Sequence, residues 1–223
     1  NYGSLSKEIF LLIMNNADPE TKYFLLNNFM ESAISKNNYE LAEFLIETNH
    51  KCSHENFITA VKTKQLKLVD LILKYKNKPA FINKLTIEGT ALNIAASNFD
   101  IEMIKRLLLI PNIDVSLYGE NQLTPFLFSV KKHNFEIADI FLNYFENNNI
   151  DEYIWQLNEA LKMLIINFPQ DNNINILKKI LKIEKINVNI THHSNNNTIL
   201  ITSLLFNNLE IAKFLIQDKR TDI

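Results

Sequence analysis

The run Thr90-Ala91-Leu92-Asn93-Ile94-Ala95-Ala96-Ser97-Asn98-Phe99-Asp100-Ile101-Glu102-Met103-Ile104-Lys105-Arg106-Leu107-Leu108-Leu109 reads as two short helices and the turn between them. Thr90 has the side chain of a helix N-cap and stands just before the first apolar residues. Ala95 and Ala96 are small where two helices must approach closely. Phe99-Asp100 reverses the chain, and Met103, Ile104, Leu107 and Leu108 give the second helix one apolar face. Pro111 stops that helix, and Asn112-Ile113-Asp114-Val115 leads out of it in an extended connection.

The second-helix phrase recurs. It reads Tyr39-Glu40-Leu41-Ala42, Leu66-Lys67-Leu68-Val69, Ile101-Glu102-Met103-Ile104, Phe135-Glu136-Ile137-Ala138, Ile174-Asn175-Ile176-Leu177 and Leu209-Glu210-Ile211-Ala212, at intervals of 27, 35, 34, 39 and 35 residues. A period in the low thirties with two amphipathic helices per unit predicts an all-α fold, a curved α-solenoid of stacked helix-turn-helix repeats. One continuous repeat domain, 1–223, is expected. Its units run 1–18 (partial), 19–53, 54–87, 88–120, 121–150, 151–193 and 194–223 (cut short at its C-terminal end). The 27-residue interval leaves no room for a hairpin, so 47–53 is expected to be a tight helix-to-helix turn. In the fifth unit, 152–167 reads as a longer first helix containing Trp155, with a loop at 169–173. Asp18-Pro19 opens a helix after a remnant helix in 1–16.

Thr124-Pro125-Phe126, Thr90-Ala91-Leu92 with Ala95-Ala96, and the exits Asn112-Ile113-Asp114-Val115 and Ile186-Asn187-Val188-Asn189 resemble the ankyrin repeat family. The abundance of asparagine is similar to that of divergent ankyrin proteins of parasitic protists. The resemblance implies short or missing β-hairpin fingers here, and a concave face made of fingers and first helices. The chain departs from the family pattern at two positions. The opening histidine is replaced by Asn93, Leu127 and Ile201, so the usual polar latch with the threonine is expected to be absent. The glycine turn position holds Asn37, Lys64, Phe99, His133 and Asn207. Asparagine best tolerates the left-handed backbone after glycine. Arg106 occupies a slot that is commonly leucine and is expected to snorkel or to find a carboxylate. These departures predict a less stable array than a consensus one.

The net charge of −2 disfavours nucleic acid, whose binders carry a basic excess. The single cysteine, Cys52, permits no intrachain disulfide and fits a reducing, cytoplasmic setting. No apolar run reaches the length of a membrane span. The chain opens at Asn1 without a methionine and closes on Thr221-Asp222-Ile223, a phrase that elsewhere precedes another repeat. A fragment of a longer protein is therefore expected.

His50, Cys52 and His54 alternate as metal ligands would along a strand, but no fourth ligand is evident. A polar turn with Cys52 as a packing residue is the reading kept, with no metal and no cofactor. Cys52 with His50 or His54 also lacks a held base and an oxyanion hole, so no catalytic residue is assigned. His192-His193 reads as a solvated hairpin tip, and His133 as a cation at a helix end. Asn189-Ile190-Thr191 and Asn196-Asn197-Thr198 match the N-glycosylation pattern, which chance supplies in so asparagine-rich a chain. Lys131-Lys132, Lys62-Lys64 and Lys178-Lys179 read as solvated pairs.

By position in the resembled family, the concave face collects Lys36, Lys62, Thr63, Ile94, Ser97, Asn98, Tyr118, Asn121, Gln122, Phe128, Lys131, Lys132 and Phe206. Thr202 joins it as a further exposed first-helix residue. Ile94, Tyr118 and Phe128 are its candidate anchors. The resemblance implies a monomeric, noncatalytic module that binds another protein or peptide. The alternative is the targeting or scaffold portion of a larger enzyme, channel or secreted effector whose active domain lies elsewhere.

Overall fold

A computed structural model describes residues 7–48, 52–120, 122–166, 174–191 and 196–222. Among them the chain is all-helical, with fourteen α-helices and no strand. The helices are α1 (Lys7–Asn16), α2 (Pro19–Ser35), α3 (Tyr39–Glu47), α4 (His54–Lys62), α5 (Leu66–Tyr75), α6 (Pro79–Ile82), α7 (Ala91–Ser97) and α8 (Ile101–Leu108). They continue with α9 (Pro125–Lys131), α10 (Phe135–Asn147), α11 (Ile154–Ile166), α12 (Ile174–Leu181), α13 (Ile199–Leu205) and α14 (Leu209–Gln217). A 3-10 turn, Ile150–Tyr153, precedes α11. The chain forms two compact units, Asn1–Asp114 and Val115–Ile223.

One hairpin device joins five helix pairs. At each turn a residue enters the left-handed region: Asn37 (φ 51°), Lys64 (59°), Phe99 (51°), His133 (55°) and Asn207 (54°). These are the five positions where the family pattern has glycine. The next residue sends its N–H back five positions, as in a Schellman cap. Asn38 donates to Ala33 O, Gln65 to Ala60 O, Asp100 to Ala95 O, Asn134 to Ser129 O and Asn208 to Ser203 O, at 2.7–3.0 Å. All five acceptor residues are small and buried. The donor residue then caps the second helix. Asn38, Asp100, Asn134 and Asn208 accept from Leu41 N, Met103 N, Ile137 N and Ile211 N. One polar side chain thus serves the start of a helix while its own N–H closes the one before.

First-helix starts follow the expected chemistry. Asp18, Thr90, Thr124 and Thr198 are N-caps, with Pro19 and Pro125 at the first helical position. The polar latch expected to be lost is present in a shorter form. Asn93 Oδ1 accepts from both Thr90 N (2.9 Å) and Thr90 Oγ1 (2.8 Å), and Asn56 does the same for Ser53. An amide three residues on closes a capping box as well as a longer side chain would.

In the first unit α4 packs on α2 and α7, and α5 packs on α3 and α8, so first helices lie on first helices and second on second. Arg106 of α8 finds its carboxylate in Asp70 of α5. Asn83 clasps the exit loop, donating to Asn112 O (2.8 Å) and accepting from Asp114 N (2.9 Å). The second unit packs α9 on α10 and α11, and α12 on α10 and α11. Its core is aromatic: Phe126, Phe141 and Phe145 meet one another, and Tyr153 stacks on Phe145. Arg220 closes the carbonyl end of α12, donating to Leu181 O (2.6 Å), Ile183 O (2.7 Å) and Glu184 O (2.8 Å) while Asp218 holds it. Short or missing fingers were expected, and among the described residues β-pairing is limited to two isolated bridges, Thr86 to Gly89 and Thr191 to Thr198.

Left-handed backbone costs a residue with a Cβ about 1–2 kcal/mol, and glycine gives back about half of that through its freer unfolded chain. Lys64→Gly and His133→Gly should therefore each raise stability by about 0.5–1 kcal/mol. Urea midpoints at an unchanged slope measure it.

Candidate partner-binding surface

Helix α4 ends in exposed Lys62 and Thr63, α7 in exposed Ser97 and Asn98, and α9 in exposed Lys131 and Lys132. Each pair sits just before its left-handed turn residue, so the hairpin device holds these ends in the same local geometry. Lys36 occupies the same place after α2. Lys62 pairs with Glu88 at 2.5 Å, and Lys132 lies over the Phe128 ring at 5.8 Å. On the second helices Lys178 pairs with Glu210 and Lys179 with Asp139.

Two of the expected surface residues are not on the surface. Ile94 is only 3% exposed. Every residue of α7 through Ala96 is buried and the helix packs on both α4 and α8, so it shows no solvent face before Ser97. Thr202 is likewise buried, at 5%. Phe128 is half-buried, and Phe206 is exposed. Asn121, His50, His192, His193 and the 169–173 loop lie outside the described residues.

Tyr118 is 52% exposed and stands beside Trp155, itself 38% exposed, with ring centroids 6.1 Å apart. The Gly119 N–H, donating to Leu123 O at 2.9 Å, folds the 119–123 turn and fixes Tyr118 at its edge. Gln122 is exposed at φ 54° in the same turn. One helical step from Trp155, Gln156 is fully buried and anchors the segment. It accepts from Thr124 Oγ1 at 2.5 Å and donates to Ser116 Oγ at 3.3 Å. Sequence reading put Trp155 in a first helix and gave it no surface role. No local signal marked its exposure, because the partners that draw Gln156 inside lie 32 and 40 residues earlier in the chain.

Cys52 is buried, its Sγ 3.6 Å from Ser53 O, and burial pushes the thiol up to about 12. A thiol so held is not a nucleophile at neutral pH. Among the described residues no three His, Cys, Asp or Glu side chains gather as metal ligands. His54 is buried against Phe57 and Phe81, ring centroids 5.9 and 5.3 Å away, and its Nε2 has no hydrogen-bond partner. Burial above all, with Lys84 as a smaller cause, holds its imidazole below the ordinary 6.5. The sign follows from proton uptake. As pH falls through 6.5 the unfolded chain binds a proton that the folded chain does not, so stability is full above that pH and declines below it. The decline ends only once the folded imidazole is protonated too. His54→Phe should flatten the loss of thermal midpoint between about pH 7.5 and about pH 5. An unchanged slope would show that His54 does not contribute.

No family model matches the chain, and no curated protein matches it. No helix among the described residues is long and apolar enough to cross a membrane.

Proposed function

We propose that the chain is a noncatalytic protein-interaction module made of divergent ankyrin-like helix pairs, binding a protein or peptide through the Tyr118–Trp155 edge of the unit Val115–Ile223. The recurrence of one hairpin in five helix pairs, with helices stacked first on first in the unit Asn1–Asp114, supports the ankyrin-like solenoid reading. The observation that carries the binding role is the Tyr118–Trp155 pair. Two large rings stay in solvent although each could contribute roughly 1.5–3 kcal/mol if buried. Rigid aromatics mounted on a braced turn and a helix are the usual anchors of protein interfaces, because little side-chain entropy is lost on docking. A monomeric module of this kind in a reducing cytoplasm keeps Cys52 as a thiol. The same surface would serve the targeting or scaffold portion of a larger enzyme, channel or secreted effector.

The test is affinity capture followed by a titration with the recovered partner. Trp155→Ala should weaken binding by about 2 kcal/mol, a thirtyfold rise in Kd, and Tyr118→Ala by a smaller factor. Lys178→Ala, on the opposite helix class, should leave it unchanged. Equal capture by wild type and Trp155→Ala would reject the surface.

A further inference from the structure

We infer that the Tyr118–Trp155 edge is a cation site, and that what it takes from a partner is an arginine side chain. This rests on the reading of that edge as the partner anchor and names the chemistry it selects. Tyr118 and Trp155 are 52% and 38% exposed, and both stand in stretches without a basic side chain. Neither 115–130 nor 134–161 contains a lysine or an arginine. Carboxylates flank the rings instead. Glu120 follows Tyr118 in the 119–123 turn, and Glu152 and Glu159 stand before and after Trp155.

Helical spacing puts Glu152 and Glu159 on the face that carries the indole. Side chains three and four residues apart lie one above the other, with about 5–6 Å between Cβ atoms. Glu152 belongs to the 3-10 turn that runs into α11, and Glu159 to α11 itself. The opposite face goes inward, with Leu157, Ala160, Leu161 and Leu164 at most 1% exposed. Glu152 is exposed and accepts from Asn149 Nδ2 at 2.9 Å, which steadies the carboxylate without neutralising it. Among the described residues Asp151 is matched by Lys185 and Glu159 by Lys162, whereas no cation pairs with Glu120 or Glu152.

A cation within about 6 Å of an aromatic centroid is drawn to the ring face, and most strongly to that of tryptophan. Placed over Trp155, it also lies one helical turn from the unmatched Glu152. The two ring centroids are 6.1 Å apart with 49° between the planes. A group held between them would need about 7 Å, twice a carbon contact, so the cation rests on the outer faces. A guanidinium suits this better than an ammonium. It is planar and weakly hydrated, so it can stack on a ring while its edge donates to a carboxylate. A nucleic acid would stack on the same rings, but its phosphates would meet carboxylates there. An apolar partner would dehydrate those carboxylates with nothing to replace the lost water.

Trp155 is the only tryptophan in the 223-residue chain, so its emission reads the site directly. Titration with a short blocked peptide alternating glycine and arginine should change that emission saturably, and less so as salt rises. The same peptide with citrulline, the uncharged isostere, should leave it unchanged. Glu152→Gln keeps the acceptor for Asn149 and loses the charge, so it should raise the Kd of the arginine peptide roughly two- to fivefold. Glu152→Lys should raise it by at least about tenfold. Glu210→Gln, which takes the same charge from α14, should leave it unchanged. The proposal is overturned by equal affinity for the citrulline peptide, by an unmoved Kd in both Glu152 variants, by no response to arginine, or by a response to oligothymidylate in its place. Partner capture fails separately. Capture lost in Trp155→Ala with no response to the arginine peptide rejects arginine alone, whereas arginine binding with capture indifferent to Trp155 keeps the cation site and rejects the protein-binding reading.

Discussion

Phe145→Ala should lower the unfolding free energy of the unit Val115–Ile223 by about 3–5 kcal/mol. Phe145 is fully buried, stacks on Tyr153 with centroids 4.3 Å apart, and meets Phe126 edge-on at 5.1 Å. It therefore joins three elements, α9, α10 and the 3-10 turn that launches α11. Truncation removes the transfer free energy of a whole ring and leaves a cavity whose aromatic walls cannot collapse. The chain contains a single tryptophan, Trp155, and it lies in this unit, so its fluorescence reports the transition locally. A urea midpoint that moves by less than about 1 kcal/mol of stability would mean the aromatic cluster is not the core of the unit.

Gln156→Ala should cost about 2–4 kcal/mol in the same assay. The side chain is fully buried and joins Thr124, the N-cap of α9, to Ser116 on the segment entering the unit. Its loss leaves a cavity and takes away the partner of the Thr124 hydroxyl, which then caps Leu127 N alone. Gln156→Leu fills the volume without restoring the hydrogen bonds, so it should recover the packing part of the loss only. Equal stability of the leucine variant and wild type would show that the amide contributes nothing beyond shape. Because Gln156 adjoins Trp155, its replacement by alanine should also weaken partner capture, through position rather than contact.

What could be read from the sequence was local. The N-cap Thr90 and the helix opening at Asp18-Pro19 were legible because each acts on a backbone N–H within three residues. The turn residues Asn37, Lys64, Phe99, His133 and Asn207 were legible from the resemblance, whose pattern has glycine at those places. The carboxylate for Arg106 could be anticipated, but its identity as Asp70, 36 residues earlier, is a matter of packing. Ile94 shows where local reading fails. Its place on α7 says first helix, yet whether it meets solvent depends on how tightly α4 and α8 enclose so short a helix. Gln156 and Arg220 were missed for a related reason. Their partners lie 32–40 residues away in sequence, beyond any pattern of spacing within one unit.

The Schellman hairpin moves the burden of sequence constraint. Glycine is free to drift at these bends, because the penalty for asparagine, lysine, phenylalanine or histidine there is spread thinly, about 1–2 kcal/mol at each. Four residues earlier the tolerance vanishes: Ala33, Ala60, Ala95, Ser129 and Ser203 each sit where a bulkier group would wedge two backbones apart and break the carbonyl contact with the following helix. The lineage of such a protein is better followed through its small buried residues than through the glycines by which repeats of this type are ordinarily found.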